Sequence, residues 1–181
     1  VRIVQTAIPG VLIIEPKVFS DERGFFFESF NKRAFAHSTG LDLDFVQDNH
    51  SQSVKGVLRG LHYQIKRPQG KLMRVVRGSV FDVVVDVRRS SSTFGQWIGA
   101  ELSEDNRRQM WVPPGFAHGF LVTSDTADYL YKTTDYYAPE YECCIAWDDP
   151  AIGIQWPLDG APVLSVKDQR GKPLVLAEVY E

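Results

Sequence analysis

Arg59, His62 and Lys71 stand close together in the stretch Gly56-Val57-Leu58-Arg59-Gly60-Leu61-His62-Tyr63-Gln64, followed by Gly70-Lys71. The run is short, largely apolar and flanked by glycine, so it reads as a β-strand. Three basic side chains fill a core badly, because a buried charge is costly unless it is paired. An edge strand with its polar groups in water is the plain alternative, and His62 alone is as consistent with a structural role as with a catalytic one. The chain has three other histidines. His37 reads as a surface residue among polar neighbours, and His50, after Gln47-Asp48-Asn49, is open to either role. His118 lies in Pro113-Pro114-Gly115-Phe116-Ala117-His118-Gly119-Phe120, a turn that delivers the chain into a strand.

These residues must be positioned mainly by strands. Runs at Gly24–Phe30, Phe45–Ser53, Val57–Gln64, Lys71–Arg77, Val80–Arg88, Gln96–Leu102, Gln109–Val112, His118–Thr123 and Ala127–Thr133 are separated by turn residues. Many short strands at close spacing predict a sandwich or barrel. One short helix is expected from Asn31 to Thr39, ending near Gly40. The tail from Pro150 onward, with Pro157, Pro162 and Pro173, reads as an irregular wrap around the barrel with a short helix in it. Alternation splits Val80–Val87 into a face of Phe81, Val83, Val85 and Val87 and a face of Asp82, Val84 and Asp86. Tyr129, Tyr131 and Thr133 likewise share a face, opposite Leu130 and Lys132. One oily face and one face of Asp, Tyr and Thr suit a barrel whose lumen holds a polar ligand.

Composition narrows the class. At 181 residues the chain suits one domain, 1–181, able to bury a core without staples. Net charge is −3, from 20 basic and 23 acidic residues, which argues against a dedicated nucleic-acid or membrane-surface binder. Cys143 and Cys144 are adjacent and form no disulfide framework. With no apolar signal region after Val1 and no membrane-length run, a soluble, cytoplasmic protein is expected.

The Pro-x-Gly-x-x-His segment ending at His118 resembles the second motif of the cupins, small β-barrels in which that histidine often binds metal. A metal cupin's first motif is His-x-His with a Glu several residues on. Here those places hold His62, Gln64 and, near the carboxylate position, Lys71. A lysine repels a divalent cation and one histidine lacks the usual set of ligands, so no bound metal is expected.

The resemblance then becomes specific. Val57–Gln64, Phe81–Arg88 with Ser92-Thr93-Phe94-Gly95-Gln96-Trp97, Pro114–Phe120, Tyr129–Lys132 and Ala151–Pro157 closely resemble the dTDP-4-dehydrorhamnose 3,5-epimerases, and the match runs from about Pro16 to Asp168. It implies a mainly β fold, a cupin-type jelly-roll barrel with a few short helices. The implied activity is cofactor-independent 3,5-epimerisation of dTDP-4-dehydro-6-deoxy-D-glucose to dTDP-4-dehydro-L-rhamnose, in dTDP-L-rhamnose biosynthesis for bacterial surface polysaccharides. Hydrogens on carbons 3 and 5 are both alpha to the carbon-4 ketone, so each can leave as a proton to give an enolate. By resemblance, His62 is the base, Asp168 its carboxylate partner, Tyr131 the acid on the other face of the ring, and Lys71, helped by Arg59, the stabiliser of the oxyanion. Taken singly, Tyr131 is a barrel-lining aromatic and Asp168 a helix cap. In a regular strand Arg59 and His62 would point to opposite faces, so if both reach the site Gly60 is expected to mark a bulge or a local twist.

The same resemblance makes Arg23, Glu28, Gln47 and Asn49 nucleotide contacts, adds Glu142 and Lys167, and places His118 with Asp82 as support for the reacting end. It implies a homodimer in which the Asp21–Glu28 segment reaches the neighbouring subunit's site. Alternatives are a single-site 3- or 5-epimerase or ketoisomerase of a dTDP-4-keto-6-deoxyhexose, a metal cupin oxygenase, or a non-catalytic sugar-nucleotide-binding cupin.

Overall fold

Thirteen strands and one helix follow the alternation of the sequence closely. The computed structural model describes residues 1–181. One sheet runs in the order β1 (Arg2–Gln5), β2 (Leu12–Glu15), β10 (Gln109–Val112), β7 (Lys71–Arg77), β12 (Thr126–Thr133) and β5 (Gln47–Val54). The facing sheet runs β13 (Glu142–Cys144), β6 (Leu58–Gln64), β11 (Phe116–Val122), β8 (Ser79–Asp86) and β9 (Trp97–Ser103). A separate hairpin pairs β3 (Phe19–Asp21) with β4 (Gly24–Phe26). Neighbouring strands within both sheets pair antiparallel. Two such sheets face to face make a jelly-roll barrel of cupin type.

Between the sheets, Met73, Val75 and Tyr129 of one meet Val80, Val84, Phe116, Phe120 and Val122 of the other. On β8 the face carrying Asp82, Val84 and Asp86 turns inward. The oily face turns outward instead of into the lumen. There Val83, Val85 and Val87 pack with Leu61, Ile145, Ile152 and Val179. The C-terminal tail supplies that cover as an irregular wrap, pinned by parallel bridges Val57–Val163, Ile145–Lys172 and Arg88–Tyr180. Its only helical pieces are 3₁₀ turns at Asp168–Arg170 and Leu174–Leu176.

Helix α1 (Lys32–Thr39) closes the outer side of the first sheet. Asn31 caps it by accepting the Ala34 N–H, and Gly40, at φ +76°, ends it in the left-handed conformation. Its buried Phe35 packs with Leu12, Ile14, Leu72 and Trp111. The run expected as a strand to Phe30 stops at Phe26, because Ser29 to Asn31 must turn the chain into this helix. No helix is long and apolar enough to cross a membrane.

Candidate active site

The site begins with an irregularity in β6. His62 pairs with His118 and Arg59 with Phe120, so three steps on β6 match two on β11. Gly60 takes up the extra residue at φ +126°, and a Cβ there would lie 2.5 Å from Gly119 Cα. Only glycine fits this close approach. The bulge reverses the expected alternation, and Arg59 and His62 reach the same cavity.

That cavity, about 490 Å³, opens between the sheets. It gathers Gln47 and Asn49 from β5, Arg59 and His62 from β6, Lys71 from β7, His118 from β11, Tyr131 from β12, Glu142 from β13, and Lys167 and Asp168 from the tail. Arg23 and Glu28 are not part of it. Arg23 pairs with Asp21 across the exposed hairpin, and Glu28 accepts from the Asn31 amide beside α1. Within one chain neither lines this cavity: Arg23 sits in the turn of the exposed hairpin, and Glu28 lies in the stretch leading into the helix.

His62 Nε2 lies 2.7 Å from Asp168 Oδ1. The approach is bent rather than linear, and this nitrogen is sealed from solvent with no well-aligned hydrogen bond. Asp168 opens the 3₁₀ turn at the tail and is itself held from two more sides. Ser165 Oγ donates to Oδ2 at 2.6 Å, and the Gly60 N–H donates to Oδ1 at 3.2 Å. Burial pushes the carboxyl up, but the close His62 imidazole and the bonds from Ser165 and Gly60 outweigh it and hold Asp168 at about 2. A fixed negative charge therefore sits behind the imidazole. Ser165 thereby joins the site, and a hydroxyl three residues before the carboxylate is its only mark in the sequence.

Tyr131 and Lys71 stand on the facing sheet. The Tyr131 hydroxyl makes no hydrogen bond inside the protein, and burial, then the Glu142 carboxylate, raise its pKa so that it keeps its proton. Lys71 makes no ion pair. Burial drives its ammonium down to about 8, with Glu142 and Asp82 pulling the other way. A weakly compensated cation in a low-dielectric wall is suited to meet a negative charge that forms nearby.

Beneath them lies a buried triad. His118 Nε2 donates to Asp82 Oδ1 at 3.0 Å, and the Tyr129 hydroxyl donates to Asp82 Oδ2. Burial lowers the His118 pKa, so the ring is neutral at ordinary pH. Tyr129, whose ring stacks on Phe120 at 4.3 Å, joins the site although the sequence marked only its face. At the mouth, Glu142 accepts from Lys167 Nζ at 2.7 Å and from the Tyr137 hydroxyl at 2.8 Å. Gln47 donates to Asn49 at 3.0 Å, and Arg59 donates to Ser53 Oγ.

The cupin metal positions do not fit an ion here. His118 is committed to Asp82 and Tyr129. The Gln64 amide is spent on the Arg67 carbonyl and the Ala138 N–H. Lys71 then brings a positive charge to the carboxylate's place.

A histidine–carboxylate pair on one side of a cupin-type barrel and a protonated tyrosine on the other are groups that can exchange protons with a molecule held between them, and the relatives of this fold make that class an isomerase. A family model described as dTDP-4-dehydrorhamnose 3,5-epimerase matches residues 5–175. The dTDP-4-dehydrorhamnose 3,5-epimerase of Pseudomonas aeruginosa is 60% identical over 174 residues, 96% of each chain. The chain belongs to this family. Its fold superposes on dTDP-6-deoxy-D-glucose-3,5-epimerase from Legionella pneumophila, solved with dTDP-4-keto-L-rhamnose, with a TM-score of 0.96, 52% identity and coverage of 99% and 98% of the two chains. A 3′-monoepimerase from Streptomyces bikiniensis, solved with dTDP-quinovose, is more distant at 36% identity and TM-score 0.89, covering 94% and 86%.

Proposed function

We propose that this chain epimerises carbons 3 and 5 of dTDP-4-dehydro-6-deoxy-D-glucose, giving dTDP-4-dehydro-L-rhamnose, and that the residues of the barrel cavity carry the reaction. His62 removes the proton alpha to the ketone, and the buried Asp168 carboxylate stabilises the imidazolium that results. The electron pair moves onto the carbon-4 oxygen, where Lys71 and Arg59 hold the oxyanion. Tyr131 then delivers a proton to the opposite face of the carbon, which inverts it. Once His62 has released its proton to water and Tyr131 has regained one, the same cycle at the second carbon completes the double inversion with no change in oxidation state. Arg59 and Lys167 also suit the pyrophosphate, as cations with several donors.

The observation that carries this reading is the opposition of the two sheets. His62, backed by Asp168 of the tail, lies on one, Tyr131 with Lys71 on the other, and a single cavity lies between them. We further propose that a second copy of the chain receives the β3–β4 hairpin. Phe25 and Phe26 are 58% and 69% exposed on it, and Arg23 has no role at its own cavity. Such exposed aromatic surface is characteristic of an interface.

The test is proton NMR of dTDP-4-dehydro-6-deoxyglucose with the pure protein in deuterium oxide, with chelator present. Deuterium at both carbons in an inverted product is expected. Exchange at one carbon only would make the chain a single-site epimerase, and no exchange would overturn the reading.

A further inference from the structure

Cys144 takes no part in the scheme above, yet it stands directly across the sheet from the base. In the β13–β6 register Cys144 is the partner of His62. The tail then brings Asp168 against the same point through its contacts to His62 and to the Gly60 N–H. One nitrogen, one sulfur and one carboxylate oxygen thus all lie within 4.8 Å of one another. The nitrogen in contact with Asp168, His62 Nε2, is the buried one without an aligned partner. The thiol has only long contacts, 3.8 Å to the Gly60 carbonyl and 3.7 Å to the Ile145 carbonyl.

We propose that His62, Cys144 and Asp168 form an inhibitory site for a soft divalent cation of the zinc class. The donor set is one that Zn²⁺ prefers, and bonds of about 2.0–2.3 Å space tetrahedral ligand atoms roughly 3.3–3.7 Å apart. The His62–Asp168 contact opens slightly and the sulfur closes by about an ångström to meet that geometry. Cys144 also lines a second groove of about 490 Å³, with Cys143, Tyr63, Lys172 and Glu178. Binding forms a Zn–S bond as the thiol proton leaves to solvent, and no electron is transferred. With Nε2 on the metal, the other ring nitrogen carries the proton, so the imidazole can no longer accept one. Lys167 is paired with Glu142, and Lys71 stands on the facing sheet, so neither occupies the ion's place, though both temper its affinity.

The inference is independent of the sugar substrate, and its primary readout is metal binding. Equilibrium dialysis of the chain against Zn²⁺ is expected to show one saturable site. Cys144→Ser, and Cys144→Ala should the serine variant misfold, are expected to weaken binding at least about tenfold, while Cys143→Ser leaves it unchanged. Cd²⁺ in place of Zn²⁺ is expected to give a thiolate charge-transfer absorption that Cys144→Ser removes. Zn²⁺ is expected to stop turnover in the parent and to spare the serine variant. Absence of saturable binding, or equal binding by the parent and both Cys144 variants, would overturn the proposal.

Discussion

Lys71 shows how far position changes a residue's chemistry. An exposed lysine keeps most of its charge up to about pH 10, whereas burial brings Lys71 to about 8. Its cationic form, which would hold the oxyanion, is present below that value and is lost as pH rises through it. We expect kcat/KM to fall on the alkaline side with a midpoint near 8, and Lys71→Arg to move that limb upward. Lys71→Met should cost on the order of 10²–10³ in kcat. A profile flat through pH 8 to 9 would remove Lys71 from the role. Cys144 is pushed up to about 12 by burial, and the Tyr131 phenol is raised as well. At this scale the sequence was only partly legible. Lys71 and His62 were visible as misfits in apolar strands. Asp168, far along the chain, was readable only through family resemblance, since no local spacing links it to His62. Ser165 and Tyr129 passed as ordinary turn and barrel residues because their partners are set by tertiary packing.

Strands and caps were the most legible elements. Asn31 and Gly40 bracket the helix as their side chain and backbone freedom require, and period-2 alternation found the long strands. The strands β1, β2, β3 and β13, only 3–4 residues each, lack enough periods to stand out. The β6 bulge was legible as a requirement but not as a structure, because it depends on the approach of Gly60 to Gly119 on a strand far away in sequence. Gly60→Ala sets a Cβ 2.5 Å from Gly119 Cα in a backbone region that disfavours side chains. We expect it to destabilise the fold by about 2–4 kcal/mol, read from denaturant melts, and to lose activity beyond what instability explains. Full activity in a stable alanine variant would show that the bulge does not set the Arg59–His62 alignment.

On the scale of the molecule, the barrel opposes two chemically different walls and leaves its hairpin outside. If the hairpin completes a neighbour's site, Arg23→Ala and His62→Asn should complement each other. In a hybrid pair, the site with its own His62 also receives an intact Arg23. Mixing the two variants, each nearly inactive at low substrate, is expected to restore roughly a quarter of parental activity, since half the dimers are hybrids with one intact site. No gain on mixing would place Arg23 in its own chain's function. The two-wall arrangement itself is tested most directly by Tyr131→Phe in deuterium oxide, following isotope exchange and inversion together by NMR. His62 alone can remove a proton and return a deuteron to the same face, whereas inversion needs a donor on the opposite wall. The account predicts that the variant keeps exchange at carbon 3 or 5 while inversion falls by at least about a hundredfold. Equal loss of exchange and inversion would contradict it.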